Sequence, residues 1–142
     1  MSAFAPGRNP AHCYSEVMAA WSSLAAAGLA MAVMLGAFGA HGLRDRLDAY
    51  SMGVYEKAVF YHFIHALGLL IVSVLPRLGA LPEAAAGRIC ILLAAGIVLF
   101  SGSLYVLAIS GMRILGAVTP FGGVAFIGGW ILLAYSLAAK QR

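Results

Sequence analysis

Charged residues are scarce in this sequence, where they make up only 10% of the 142 residues. A typical soluble domain has about 25% charged and about 45–50% apolar residues. Here the hydrophobic fraction is 63%, which leaves few polar side chains to cover a surface in water. The composition excludes an ordinary soluble domain and predicts an integral membrane protein whose main partner is the lipid bilayer.

Acidic side chains are rarer still, and none of them falls inside a long apolar run. The acidic residues are Glu16, Asp45, Asp48, Glu56 and Glu83. This distribution excludes a carboxylate-bridged metal site and a carboxylate proton path within the bilayer. The sequence also lacks a glycine-rich phosphate loop and a nucleophile elbow, so no catalytic residues are identified and no enzymatic activity is indicated.

Cysteines and clustered basic residues are also few. Two cysteines, Cys13 and Cys90, do not make a disulfide framework, and free thiols are favoured over a bond between them. The net charge of +4 comes from short polar stretches without a basic patch and interleaved aromatic residues. These charges suit anionic lipid headgroups, and nucleic acid is excluded as a partner.

Long uncharged runs are what the sequence has in abundance, and they predict four membrane-spanning helices. The spans cover about residues 18–43, 58–76, 89–112 and 114–139. Because their links are short, we expect an all-α, up-down-up-down four-helix membrane bundle. Residues 1–16 are expected to form a flexible N-terminal tail and residues 17–142 a single transmembrane domain. Residues 43–56 are expected to be a short interfacial helix or a solvated loop.

The positive charges indicate an orientation only weakly. The terminal side of the bundle carries Arg8, Arg77, Arg88, Lys140 and Arg142, and the opposite side carries Arg44, Arg46, Lys57 and Arg113. The slight excess on the terminal side favours cytoplasmic termini in the inner (plasma) membrane, by the positive-inside rule.

Small residues recur at every fourth position of the first run. The stripe consists of Gly28, Ala32, Gly36 and Ala40. Small residues let membrane helices approach closely, so the stripe predicts a helix contact.

The fourth run contains a proline followed by two glycines. Pro120 is expected to kink this helix and to free a backbone carbonyl. Gly122 and Gly123 are expected to allow a close helix approach or a local break.

The second run differs from the others because it carries ionisable groups, in the stretch KAVFYHFIHALGLLIVSVLP. An ionisable side chain at membrane depth is costly and marks a candidate functional site. Counting about 1.5 Å per residue from the flanking charges places polar groups of all four spans in one half of the bundle. This polar layer consists of His41, Tyr61, His62, His65, Ser101, Ser103, Tyr105 and Thr119.

The same depth estimate predicts partners within the polar layer. His65 and Tyr105 both lie about 12 Å in, so they are expected to interact, whereas His62 lies at about 8 Å. His65 is too deep to reach water and is predicted to be the most sensitive polar position. Tyr61, four residues before His65, lies on the same face of the helix as His65. His41, about 5 Å in, is expected to point at a neighbouring helix.

Three interpretations of the polar layer are open. In the first, its members hydrogen-bond one another and fix the register of the helices. In the second, His41, His62 and His65 bind a metal or haem, although their spacing does not select the metal. In the third, the layer relays protons or binds a small polar ligand such as a quinone headgroup.

Four motifs, one from each span, are distinctive in combination. They are GAFGAHGL (36–43), YxxAVxYHxxHAL (55–67), LFSGSLY (99–105) and TPFGGVAFIGGW (119–130). Together they resemble the YgdD-type family of uncharacterised small inner-membrane proteins, which has eukaryotic transmembrane relatives. The resemblance covers about residues 20–139 and implies a four-span membrane protein without an established activity.

The resemblance extends to individual polar residues. His41 and His65 match histidines of the family pattern, and Tyr61 and Tyr105 match its tyrosines. His62 stands where the pattern often has glutamine, which argues against an obligatory three-histidine metal site. The leading hypothesis is a membrane scaffold or an accessory subunit of a larger complex, with a homo-oligomer as one arrangement. The alternative is a metal-, haem- or quinone-binding module.

Overall fold

The computed structural model describes the backbone of residues 10–140 and the side chains of residues 16–139. Residues 1–9 of the expected tail and the side chains of His12 and Cys13 lie outside the described residues. The α-helices are α1 (Pro10–Phe38), α2 (Ala49–Val74), α3 (Glu83–Gly96), α4 (Ser103–Ser110) and α5 (Thr119–Lys140). Two π-helical segments, Gly39–Leu43 and Ile97–Gly102, and a 3-10 helix, Arg113–Ala117, complete the described secondary structure.

These elements form four helical spans that are long and apolar enough to cross a membrane. The spans are Glu16–Leu43, Ala49–Val74, Glu83–Ser110 and Arg113–Ala139. The all-α, four-span bundle predicted from the apolar runs is confirmed. In each span the backbone hydrogen bonds are made within the helix, as a bilayer requires.

The second span is longer than its apolar run, because α2 begins at Ala49. The Asp48 side chain caps this end by accepting a hydrogen bond of 2.7 Å from the backbone N–H of Ser51. That bond lowers the pKa of the Asp48 carboxyl below its ordinary value. Most of the stretch expected to be a loop or an interfacial helix is therefore the first turns of α2. Lys57 lies on this helix and does not mark its start.

Helix α2 lies at the centre of the packing. One side of α2 packs on α1, and the other packs on the third span, which α5 covers in turn. Helix α1 contacts α2 almost exclusively and so stands at the edge of the bundle.

The contact between α1 and α2 follows a seven-residue repeat. The buried positions of α1 and its extension are Met18, Ala25, Ala32, Gly39 and Leu43. The predicted small-residue stripe is therefore right at its centre and wrong at its end, because Ala40 is exposed. A four-residue spacing rotates about 40° per step around the helix, whereas a seven-residue spacing rotates only about 20°. The stripe leaves the contact after Gly36, and Gly39 takes its place.

The fourth span is not kinked at its proline. Pro120 occupies the first turn of α5, directly after the 3-10 helix, and α5 continues from it to Lys140. Proline is well tolerated there, since the first N–H groups of a helix have no partner within the helix. The sequence pattern showed one apolar run where the structure has two helices.

Close approach between the third and fourth spans occurs at glycines. A Cβ atom on Gly122 would lie 2.8 Å from the Cα atom of Phe100, so the two backbones are in direct contact. Phe100 belongs to the π-helical segment Ile97–Gly102. Gly96, just before this segment, packs under the ring of Phe126. The expected close approach is thus present at Gly122. A Cβ atom on Gly123 would lie 3.8 Å from the Phe100 ring, which is an ordinary contact.

Candidate functional site

The polar layer contains one hydrogen bond between membrane-depth aromatic side chains on different spans. His62 of α2 and Tyr105 of α4 are joined by a hydrogen bond of 3.3 Å between Nδ1 and the hydroxyl oxygen. The imidazole of His62 is only 5% exposed. A buried pair of this kind fixes the rotation of two spans relative to each other.

His65 lies in a different environment, inside a stack of aromatic rings. Its Nδ1–H donates to the backbone carbonyl of Tyr61 at 2.7 Å, which places the proton on that nitrogen. Its ring stacks on Phe126 with 3.4 Å between the ring centroids. The Tyr61 ring is nearly parallel to that of His65, with 5.7 Å between their centroids, and lies beside this pair at 6.4 Å from Phe126. His65 is therefore packed between α2 and α5.

The predicted pairing of His65 with Tyr105 is wrong, because His62 holds that tyrosine. Residues three apart on a helix lie about 60° from each other around its axis. This rotation turns His62 towards α4 and His65 towards α5. Depth alone gave no information on rotation, so it selected the wrong histidine.

The remaining members of the layer are divided among several contacts. Ser103 and Thr119 share a hydrogen bond of 2.8 Å that joins α4 to the start of α5. Tyr61 is partly exposed and packs on the Phe100 ring. Ser101 is fully buried, and its hydroxyl has no hydrogen-bond partner in the structure. His41 is exposed on the first π-helical segment.

The three candidate metal ligands do not converge. Among the described residues, no group of three or more His, Cys, Asp or Glu side chains is placed to hold a metal ion. His41 is exposed at the end of the first span, and the rings of His62 and His65 face different helices. A three-histidine centre would require a rearrangement of the bundle.

Sequence reasoning missed Tyr55, which is the largest fully buried side chain. Its hydroxyl donates to the backbone carbonyl of Leu35 at 2.8 Å, and its ring meets Tyr105 edge-on at 5.2 Å. The signal was present in the sequence, since Tyr55 stands seven residues before His62. Residues 43–56 were expected to form a short interfacial helix or a solvated loop, so the pattern of α2 was not extended back to Tyr55.

A second missed contact is a pair of serines at the other end of the bundle. The hydroxyls of Ser22 and Ser73 lie 2.9 Å apart and join α1 to α2. Single serines in an alanine-rich helix carry no distinctive pattern, so the sequence offered no signal for this pair.

A groove of about 240 Å³ opens between α1, α2 and the third span, and His62 lies in its wall. The other lining residues are all apolar or glycine, among them Gly28, Ala66 and Ile97. A Cβ atom on Gly28 would lie 3.7 Å from Nε2 of His62, so this nitrogen faces the glycine. Nε2 has no hydrogen-bond partner within the described part of the chain. His62 thus uses one ring nitrogen inside the bundle and presents the other to the groove.

A larger groove of about 640 Å³ lies on the opposite side of the contact between α1 and α2. Its wall includes Gly36, Tyr55 and Phe60, and it opens widely towards the lipid. The rest of its lining is apolar apart from Glu56 near one end. It therefore offers no cluster of polar groups for chemistry.

Comparison with known proteins places this arrangement in a family. The family described as "Protein of unknown function (DUF423)" matches residues 35–123, a range that contains the whole polar layer and Gly122. No solved structure matches the chain.

Several bacterial relatives cover most of the chain. The UPF0382 membrane protein SH2409 of Staphylococcus haemolyticus is 49% identical over 106 residues, which are 75% of this chain and 84% of the relative. The UPF0382 membrane protein YwdK of Bacillus subtilis is 47% identical over 111 residues, or 78% of this chain and 89% of the relative. With a family match over most of its length and relatives of this similarity, the chain belongs to the DUF423 (UPF0382) family of membrane proteins of unknown function.

Proposed function

We propose that this protein is a non-enzymatic membrane scaffold, acting as an accessory subunit that binds a helix of another membrane protein. The observation that carries the proposal is the position of α1 at the edge of the bundle, packed almost exclusively on α2. Most of its surface is left without a protein neighbour.

The outward face of α1 has the composition of a helix contact. The exposed small residues on this face are Ala20, Ser23, Ala27, Ala30 and Ala37. Small residues let a second helix approach closely and increase the packing contact, which drives helix association in lipid. Met34 is also exposed on this face, and the exposed side chains of Leu24, Met31 and Phe38 lie beside it, so the small residues form a row that large side chains flank.

Helix α5 provides an internal comparison, because it too lies at the edge of the bundle. Its exposed side chains are large and include Phe121, Val124, Ile127 and Ile131. Large branched and aromatic side chains suit contact with lipid chains. Between Phe121 and Ile131, α5 exposes no small residue, whereas α1 exposes a row of them, and this difference supports α1 as the face that meets a partner.

Several finer features complete the proposal. We place the protein in the inner (plasma) membrane with cytoplasmic termini, which the small excess of basic residues on that side supports. Residues 1–16 act as a tail outside the membrane, of which the part from Pro10 onwards is a helical extension of α1, and residues 17–142 act as one transmembrane domain. The four motifs support kinship with YgdD-type proteins and their eukaryotic relatives. The polar layer holds the register of the other three spans. The hydrogen bonds of Tyr55 to Leu35 and of Ser22 to Ser73 hold α1 on α2, so that α1 is presented as a rigid face.

Photo-crosslinking in intact membranes tests this proposal. A benzoylphenylalanine at Ala30 on the outward face of α1 should give one discrete adduct, whereas the same group at Val124 of α5 should give none. Ser23→Trp, seven residues from Ala30 on the same face, should abolish the Ala30 adduct by preventing close approach. Ile131→Trp, seven residues from Val124 on α5, is the matched control and should leave the Ala30 adduct unchanged.

The mass of the adduct identifies the partner. An adduct of twice the chain mass would mean that the partner is a second copy of this protein and that the face forms a homo-oligomer. An adduct of a different mass would identify a larger complex. Adducts from both positions, or from neither, would contradict the proposal.

A further inference from the structure

The groove beside His62 lies within the apolar part of the bundle. His62 is about 8 Å along the axis of α2 from Lys57, the nearest charged residue of that helix, and about 18 Å from Val74. Gly28, on the facing wall, is about 18 Å from the start of the first span at Glu16 and about 22 Å from its end. The group that binds at His62 therefore lies inside the apolar part of the membrane, nearer to the Lys57 end of α2 than to its other end.

The hydrogen-bonding state of His62 decides what kind of group the groove can bind. Among the described residues the Tyr105 hydroxyl has no other acceptor, so donating its hydrogen to Nδ1 satisfies the hydroxyl and that nitrogen. A neutral imidazole carries only one N–H, which this arrangement places on Nε2. The groove then has a single polar feature, an N–H donor without an acceptor that is accessible from the groove.

The surroundings of the donor exclude a charged ligand group. The other groove-lining side chains are all apolar, and an ionised group is costly at the bilayer centre. An acyl chain would leave the N–H unpaired. The acceptor must be uncharged, which points to a carbonyl oxygen.

The volume of the groove sets the size of the group that carries the carbonyl. An apolar cavity of about 150 Å³ accommodates one benzene ring. A groove of about 240 Å³ therefore has room for a substituted six-membered ring. The groove also opens to the lipid between Leu24 and Val98, which gives a hydrocarbon chain a way out.

We propose that this groove binds a membrane quinone, with one quinone carbonyl accepting a hydrogen bond from Nε2–H of His62. The ring occupies the space between Gly28 and Ile97, and the chain leaves between α1 and the third span. No electron transfer is involved in this proposal, which concerns binding alone. Its test is separate from that of a protein partner, although Ala27 belongs both to the wall of the groove and to the outward face of α1.

Binding of decylubiquinone and of decylbenzene to the purified protein in identical detergent micelles tests the proposal. The two probes share a ring and a chain, but only the first has carbonyl groups. The wild type should bind decylubiquinone about tenfold more tightly than decylbenzene, as expected for one buried hydrogen bond. Equal affinities would show hydrocarbon binding only and would overturn the proposal.

Two variants locate the site. His62→Leu should weaken decylubiquinone binding about tenfold and leave decylbenzene binding unchanged, since only the donor is lost. Gly28→Ala tests the site without changing the His62–Tyr105 bond. Its methyl group would lie 3.5 Å from Cβ of Ala66 and 3.7 Å from Nε2 of His62, which are ordinary contacts, so the fold is kept while the donor is covered.

A matched glycine substitution serves as the control. Gly123→Ala also adds a methyl group at an ordinary contact distance, 3.8 Å from the Phe100 ring, but it lies outside the groove. We expect Gly28→Ala to weaken decylubiquinone binding and Gly123→Ala to leave it unchanged. If His62→Leu does not fold, as judged by circular dichroism, the glycine pair decides the question. Wild-type affinity in Gly28→Ala would overturn the proposal.

Discussion

Gly122→Ala is expected to destabilise the bundle by about 3 kcal/mol, at the upper end of the usual range for overpacking. The added methyl group would lie 2.7 Å from Cβ and 2.8 Å from Cα of Phe100, and it would also meet the Phe100 backbone nitrogen. A flexible side chain can rotate away from a clash, but the backbone of a packed span cannot. The third and fourth spans would have to separate.

Gly123→Ala is the matched control for this prediction, because it makes the same change one residue along α5. Its methyl group would meet only the ring of Phe100, at 3.8 Å, which is an ordinary contact. We expect its free energy of unfolding, measured by titration with a denaturing detergent, to lie within about 0.5 kcal/mol of the wild type. Equal losses in the two variants would contradict a special role for the backbone contact at Gly122, since alanine has the higher helix propensity and that propensity cannot cause a loss.

Gly39→Leu is expected to cost about 2–3 kcal/mol by overpacking the contact between the first two spans. A Cβ atom at Gly39 would lie 2.6 Å from Cε1 of Tyr55. Tyr55 is held in place because its ring is 1% exposed and its hydroxyl is bonded to the carbonyl of Leu35. The ring can move only if that bond breaks.

Ala40→Leu adds a comparable side chain at the next residue, which is exposed. It should change the free energy of unfolding by less than about 0.5 kcal/mol, as is usual for a surface position. A larger loss in Ala40→Leu than in Gly39→Leu would mean that the four-residue stripe, and not the seven-residue repeat, marks the contact.

The architecture could be predicted from the sequence because the bilayer leaves few choices. A run of about 20 uncharged residues must form a spanning helix, and short links then fix the order of the spans. The first and last residues of the helices were harder to predict from the sequence. Ala49 lies well before the apolar run, since a helix that leaves the membrane no longer needs apolar residues. Pro120 was expected inside a helix because the apolar run is continuous from Ile114, and nothing in that run shows that α5 begins only at Thr119.

The sequence predicted which residues belong to the polar layer, but not which of them contact one another. Charge positions give the depth of a residue in the membrane, and depth brought His62, His65 and Tyr105 into one layer. Pairing depends on rotation about the helix axis, which the seven-residue repeat through Tyr55 and His62 would have supplied. The apolar groove beside His62 depends on gaps between three spans, and no pattern within one span indicates it.

The two histidines hold separate positions in the bundle, and a double-mutant cycle tests this claim most directly. His62→Leu and Tyr105→Phe should show a coupling energy of about 0.5–1.5 kcal/mol, in the range of interhelical polar bonds in membranes. His65→Leu and Tyr105→Phe should be additive within about 0.5 kcal/mol, because His65 contacts Phe126 and the backbone of Tyr61 instead. Coupling of Tyr105 to His65, with additive losses for His62, would contradict the assignment of His62 as the histidine that joins α2 to α4.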